Sequence, residues 1–186
     1  MNCGEFKNYY CLFTDGSKEG NRVAAAVVHW DNTKCVRLPD TASIFRAESY
    51  AILLAIHVVR CTKEKNFVIF SDSVSSLQSI YGFNVDSDFV QKFLKDYTLL
   101  VKNGKNIVLC WIPSHLGIFG NEKTDAAAKS ALSLSVTPMK LPATDMYSHV
   151  RKLIFDEWQE IWYCCAANKL HAIKPIVGYY KQKTCL

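Results

Sequence analysis

Apolar and aromatic residues run almost unbroken through "NYYCLFTD" (8–15) and stop at Thr-Asp-Gly-Ser, which predicts a buried strand entering a turn. "RVAAAVVHW" (22–30) and "TKCVRL" (33–38) follow at hairpin distances and extend this into a three-stranded antiparallel meander. From Ser43 the period changes. Ile44, Ala47, Ala51, Ile52, Ala55, Val58 and Val59 recur at helical spacing. "NFVIFSD" (66–72) reads as a fourth strand, with a helix from Ser73 to about Tyr81. The polar loop "GFNVDSD" leads to the helix "DFVQKFLKDYTLLVKNG", stopped at Asn103-Gly104, and "NIVLCWIP" (106–113) is a fifth strand. Asn121 is expected to cap a further helix, with Glu122 and Asp125 in its first turn. The order βββαβααβα predicts an α/β fold, a five-stranded mixed sheet with helices on its faces. The domain is placed at 6–133, a linker at 134–143 ("LSVTPMKLPA"), and a C-terminal helical extension at 144–186.

Composition narrows the class only a little. With 186 residues, 49% of them hydrophobic, the chain affords a core without disulfide or metal staples. Its 8 cysteines show no CxxC pair, and Cys11 and Cys110 lie inside apolar runs, where a reduced thiol acts as a small hydrophobe. Cys164, Cys165 and His171 lack the paired spacing of a zinc site. No signal peptide, bilayer-length apolar run or prenylation box is visible, so the expected setting is intracellular and reducing, without a membrane partner. A net charge of +5, scattered in ones and twos, does not by itself name nucleic acid as the partner.

The placement of acids changes the picture. "CLFTD" puts Asp15 at the end of strand one and "VIFSD" puts Asp72 at the end of strand four. If those strands are parallel neighbours, both carboxylates emerge at one sheet edge, where open sheets bind ligands. Glu48 shares a helical face with Ile44, Ala51 and Ile52, and Asp125 shares one with Ala128 and Leu132. Any one of these would pass as a solvated charge. Together they carry a penalty, since two carboxylates ~4 Å apart repel by about 4 kcal/mol at an effective dielectric near 20. No lysine or arginine has an equivalent inward position in these segments, so divalent cations are the expected remedy, and oxygen donors suit Mg²⁺ or Mn²⁺.

"TDGS" (14–17), "RAES" (46–49), "SDS" (71–73) and "SHLGIFGNEKTDAAAK" (114–129), in this order, resemble the ribonuclease H family. They are closest to the domains carried by non-LTR retrotransposon polyproteins. The resemblance implies endonucleolytic hydrolysis of the RNA strand of an RNA/DNA hybrid, giving 5′-phosphate and 3′-hydroxyl ends. It implies two Mg²⁺ ions, replaceable by Mn²⁺, held by Asp15, Glu48, Asp72 and Asp125. It also implies a mobile histidine, His115, on a loop made pliable by Gly117 and Gly120, handling protons near the scissile phosphate. Nucleic-acid contacts are expected at Gly16, Ser17, Ser73 and Asn121, with glycine leaving room for the strand and the 2′-hydroxyl distinguishing RNA from DNA. A reverse transcriptase domain of the same polyprotein is the implied partner. A nuclear location fits an element that copies itself at a chromosomal nick, although no signal in the chain requires it. Oligomeric state is not readable.

Two departures matter. "GFNVDSD" stands where family members commonly carry a basic protrusion, so weak hybrid binding is expected of the isolated chain. Phe119 and Thr124 replace an expected proline and alanine, away from the chemistry. Transposases and integrases of the same fold place a glutamate after the second aspartate, and proofreading exonucleases need one where Ser17 stands. The alternative from another class is a non-catalytic hybrid-binding or structural module. His29, His57, His149 and His171 read as structural, His57 as an interior side chain, and Trp158 and Trp162 as packing residues beside Phe155.

Overall fold

The computed structural model describes residues 6–30, 32–165 and 168–178. The first unit holds β1 (Tyr10–Glu19), β2 (Arg22–His29), β3 (Asn32–Leu38), α1 (Ile44–Cys61), β4 (Asn66–Ser71), α2 (Val74–Tyr81), α3 (Asp88–Lys102), β5 (Asn106–Trp111) and α4 (Phe119–Ala131). The second holds α5 (Ala143–Cys164) and α6 (Lys169–Ile173), and the division between the units falls after Pro142. The sheet order is β3-β2-β1-β4-β5, antiparallel through the meander and parallel from β1 to β4 to β5. This is the mixed five-stranded architecture expected from the element order. No described helix is long and apolar enough to cross a membrane.

One boundary differs in a way that shapes the site. β1 does not stop at Asp15 but continues through Gly16 and Ser17 to Glu19, and the chain turns at Gly20, with φ 57°. Thr-Asp-Gly-Ser reads locally as a turn. β2, however, is buried from Val23 to Val28 and offers a full ladder to Asp15, Gly16 and Ser17 through Ala26, Ala25 and Ala24. Backbone pairing outweighs local turn preference here. What does end beside Asp15 is the parallel pairing with β4, whose last partners are Thr14 and Ser71.

Ser43 caps α1 by accepting from Arg46 N–H at 3.0 Å. Ala47, Ala51, Ile52, Ala55 and Val59 are buried as the periodicity requires, but Ile44 at the first turn is exposed. This face of the sheet carries the main core, in which Leu12, Ile52, Ile56, Phe67, Ile69, Phe89 and Phe93 pack together. On the other face Ala24 packs against Ala131 of α4 and Leu132, the residue that caps it. The stretch read as a linker does not hang free. Met139 and Leu141 pack on the Val23, Leu38 and Ala47 cluster, and Thr137 N–H donates to Arg37 O at 2.8 Å.

The reading of His57 as an interior side chain is corrected. His57 is exposed on α1 with its Nε2 3.7 Å from Cys61 Sγ, because its position falls one residue outside the buried stripe. In the second unit Trp158, though exposed, sets its ring edge-on to Phe155 with centroids 6.3 Å apart, while Trp162 donates from Nε1 to Lys174 O at 2.7 Å where the chain returns along α5. His29 does serve structure, stacked on Tyr10 with Nδ1 2.7 Å from Cys11 O.

Candidate active site

Two parallel strands and the second turn of one helix meet at the sheet edge where β1 outruns β4. Asp15 leaves β1 one residue beyond the last β4 partner, Asp72 follows β4 directly, and Glu48 lies on the second turn of α1. Each of these three offers an oxygen within 4.8 Å of the others, with Asp15 buried and the other two half-buried. The close approach of α1 to β1 depends on Gly16. A Cβ there would sit 2.6 Å from Glu48 N and 2.8 Å from Ala47 C, both backbone atoms that cannot step aside. The Gly16 N–H donates to Glu48 Oε2 at 3.1 Å, which aims the glutamate at the aspartates. The space left by the glycine is therefore filled by α1 rather than open to a nucleic-acid strand. This corrects the expected role of Gly16, whose amide is already bonded. Ser17 is half-buried and paired with Ala24 in the β1–β2 ladder.

Crowding raises the proton affinity of Asp15 and Glu48. Burial pushes Asp15 up to about 7, helped by the Asp72 and Asp125 charges. Burial pushes Glu48 further, to about 9, with Asp15 and Asp72 adding to the effect and the Gly16 amide opposing it. Among the described residues no cation offsets Glu48, so at neutral pH its carboxyl keeps a proton in place of a counter-charge.

Asp125 stands outside the trio. It lies in the second turn of α4, not the first, and forms an ion pair with Lys129 one turn on, at 2.6 Å. Lys129 does not take the inward position that the sequence reading denied to basic residues, since its side chain is 60% exposed, but it reaches Asp125 from the solvent side, and the i, i+4 spacing in "DAAAK" is the signal for it. Asn121 is not a cap either. α4 starts two residues earlier, after Ile118, and the buried Asn121 side chain donates from Nδ2 to Asp72 Oδ2 at 3.4 Å. Its Oδ1 is buried with no hydrogen-bond partner, an acceptor beside the acidic cluster with nothing to accept from. Ser73 caps α2, accepting from Ser76 N–H at 3.4 Å.

His115 is exposed in the turn between β5 and α4, at the left-handed φ of 53°. Gly117 is also left-handed, at φ 70°, with open space around it. Gly120 has a different role from the expected hinge. It is helical, and a Cβ there would meet the Phe13 ring at 2.3 Å, so it seats α4 on β1.

The donor set fits a hard divalent cation. It is all oxygen, it converges, it is short of positive charge, and an orphaned amide oxygen adjoins it.

Comparison with known proteins bears on the family and the fold. The family model described as RNase H matches residues 7–133. The chain is 31% identical over 121 residues to the Pol polyprotein of equine infectious anemia virus (strain Wyoming), an alignment covering 63% of this chain and 10% of that protein. It thus spans about a tenth of the length of that relative. Among solved structures it is similar to the foamy viral protease-reverse transcriptase in complex with dsDNA. That match has a TM-score of 0.56 at 16% identity and covers 68% of this chain and 96% of that one. It is also similar to RNase H1 from the halophilic archaeon Halobacterium salinarum NRC-1, with a TM-score of 0.50 at 19% identity, over 66% of this chain and 96% of that one. At these identities the two solved structures speak for the fold.

Proposed function

The chain belongs to the RNase H family, and from that membership we propose that it cuts the RNA strand of RNA/DNA hybrids as one domain of a longer reverse-transcribing polyprotein. The cut is endonucleolytic and leaves 5′-phosphate and 3′-hydroxyl ends. One observation supports this above the rest: Asp15, Glu48 and Asp72, from three different elements, bring oxygens within 4.8 Å of one another. Such crowding destabilises a domain with nothing to bind.

Asp15, Glu48 and Asp72 would hold a pair of divalent cations, Mg²⁺ or Mn²⁺, with Asp125 as the fourth ligand once it leaves Lys129. When bound, those ions supply charge neutralisation and Lewis acidity at the scissile phosphate. The chain's own groups do the remainder. Gly16 N–H holds Glu48 in its binding rotamer, and Asn121 Nδ2 steadies Asp72 while its free Oδ1 offers an acceptor at the edge of the site. His115, exposed on a short turn, is the group placed to give or take a proton as product leaves. Ser17 and Ser73 are the remaining candidates for strand contacts. The loop at 82–87 exposes Phe83 and Val85 beside Asp86 and offers no base to phosphate, so a reverse transcriptase domain of the same polyprotein would supply much of the grip.

The test is cleavage of a labelled RNA strand in hybrid, double-stranded RNA and all-DNA duplexes, in Mg²⁺ and in Mn²⁺, beside Asp72→Asn. Cutting confined to the hybrid and lost in the variant is the expected result. An intact hybrid in both metals overturns the proposal and leaves a non-catalytic module.

A further inference from the structure

Glu48 and Asp72 sit on separate elements, yet the residue following each is tied to the other through buried hydroxyls. Ser49, after Glu48 on α1, has its Oγ 3.2 Å from Ser76 Oγ on α2. Ser76 Oγ in turn accepts from Ser73 Oγ at 2.9 Å, and Ser73 follows Asp72. Ser73 N–H donates to Ser71 Oγ at 3.3 Å, so the chain ends on β4. Ser49, Ser76 and Ser73 are 1%, 0% and 9% exposed.

Ser73 is accounted for as the cap of α2. Ser49 and Ser76 are not, because each lies inside a helix, where alanine would be intrinsically more favourable and would pack as closely. A buried hydroxyl is tolerated only when bonded. What these two supply that alanine cannot is a fixed oxygen–oxygen distance between the helices. On the reading of the acidic trio as a divalent-cation site, we propose that Ser49–Ser76–Ser73 is a positioning strut that sets the Glu48–Asp72 separation and so favours Mg²⁺ over larger cations. Mg²⁺ requires near-octahedral ligands at about 2.0–2.1 Å, whereas Ca²⁺ accepts irregular ones at about 2.3–2.6 Å. A loosened frame therefore weakens Mg²⁺ binding first.

The experiment titrates the chelator-stripped chain with MgCl₂ or CaCl₂ and follows the Gly16 amide by NMR, since that amide is bonded to Glu48. Ser76→Ala should weaken Mg²⁺ roughly tenfold, as loss of a ligand-orienting partner typically does, and Ca²⁺ by no more than about twofold. Ser49→Ala cuts the same strut from the other helix and decides the matter if Ser76→Ala does not fold. Phe93→Leu, a core change on α3, lowers the melting temperature and should leave both affinities unchanged. Equal weakening of the two ions, or a lower melting temperature with unaltered Mg²⁺ affinity, overturns the strut. A wild-type chain that binds neither ion overturns the reading of the site instead.

Discussion

Replacing Glu48 by glutamine removes the most perturbed charge while keeping shape, and the amide oxygen can still accept from Gly16 N–H. In the folded chain Glu48 keeps its proton up to about 9, against an ordinary value of 4.5. Between those limits the folded state binds more protons than the unfolded state, so stability falls as pH rises, by ~1.4 kcal/mol per unit. Above about 9 the loss levels off. Asp15 adds the same sign of effect between 3.8 and about 7. At pH ~7.5 the wild-type glutamate has accumulated a penalty of order 2–4 kcal/mol, and at pH ~5 less than about 1 kcal/mol. Glu48→Gln should therefore melt roughly 10 °C above wild type at the higher pH and only a few degrees above it at the lower. The assay is thermal or urea denaturation in EDTA at several pH values, repeated with Mg²⁺. Mg²⁺ should raise the wild-type melting temperature by mass action and leave the variant nearly unmoved. Stability profiles of wild type and variant that run parallel across this pH range would show that Glu48 is not buried among like charges.

Gly16→Ala should cost about 2–4 kcal/mol in stability, because the new methyl meets the backbone of α1, and denaturant midpoints check this. Gly120→Ala should cost about 1–3 kcal/mol but be rescued in part by Phe13→Leu, since the obstacle there is a side chain. His115→Gly should raise stability by roughly 1 kcal/mol by relieving the left-handed backbone while slowing turnover, and equal or faster cleavage would remove His115 from the mechanism. Fluorescence anisotropy at physiological salt should give hybrid affinity weaker than nanomolar, and nanomolar binding would show that the absent basic protrusion is not needed.

The amino-acid sequence alone determined the element order and the candidate acids, because hydrophobic period and the place of acids along it are local signals, while the parallel β1–β4 pairing was a condition that the sheet supplied. The i, i+4 spacing of Asp125 and Lys129 carries the signal of their ion pair, although the sequence reading gave Asp125 no basic partner. Tertiary structure decided what depends on distant neighbours. β1 runs on past Asp15 because β2 supplies a ladder that "TDGS" cannot reveal. Gly16 and Gly120 are glycines because α1 and Phe13 occupy the space beside them, not because a ligand or a hinge needs it. Asn121 turns from cap to Asp72 partner because α4 begins earlier than its polar residues suggest. The raised proton affinities of Asp15 and Glu48 arise from burial and from charges more than twenty residues away in sequence, a field that exists only once the sheet edge has closed around them.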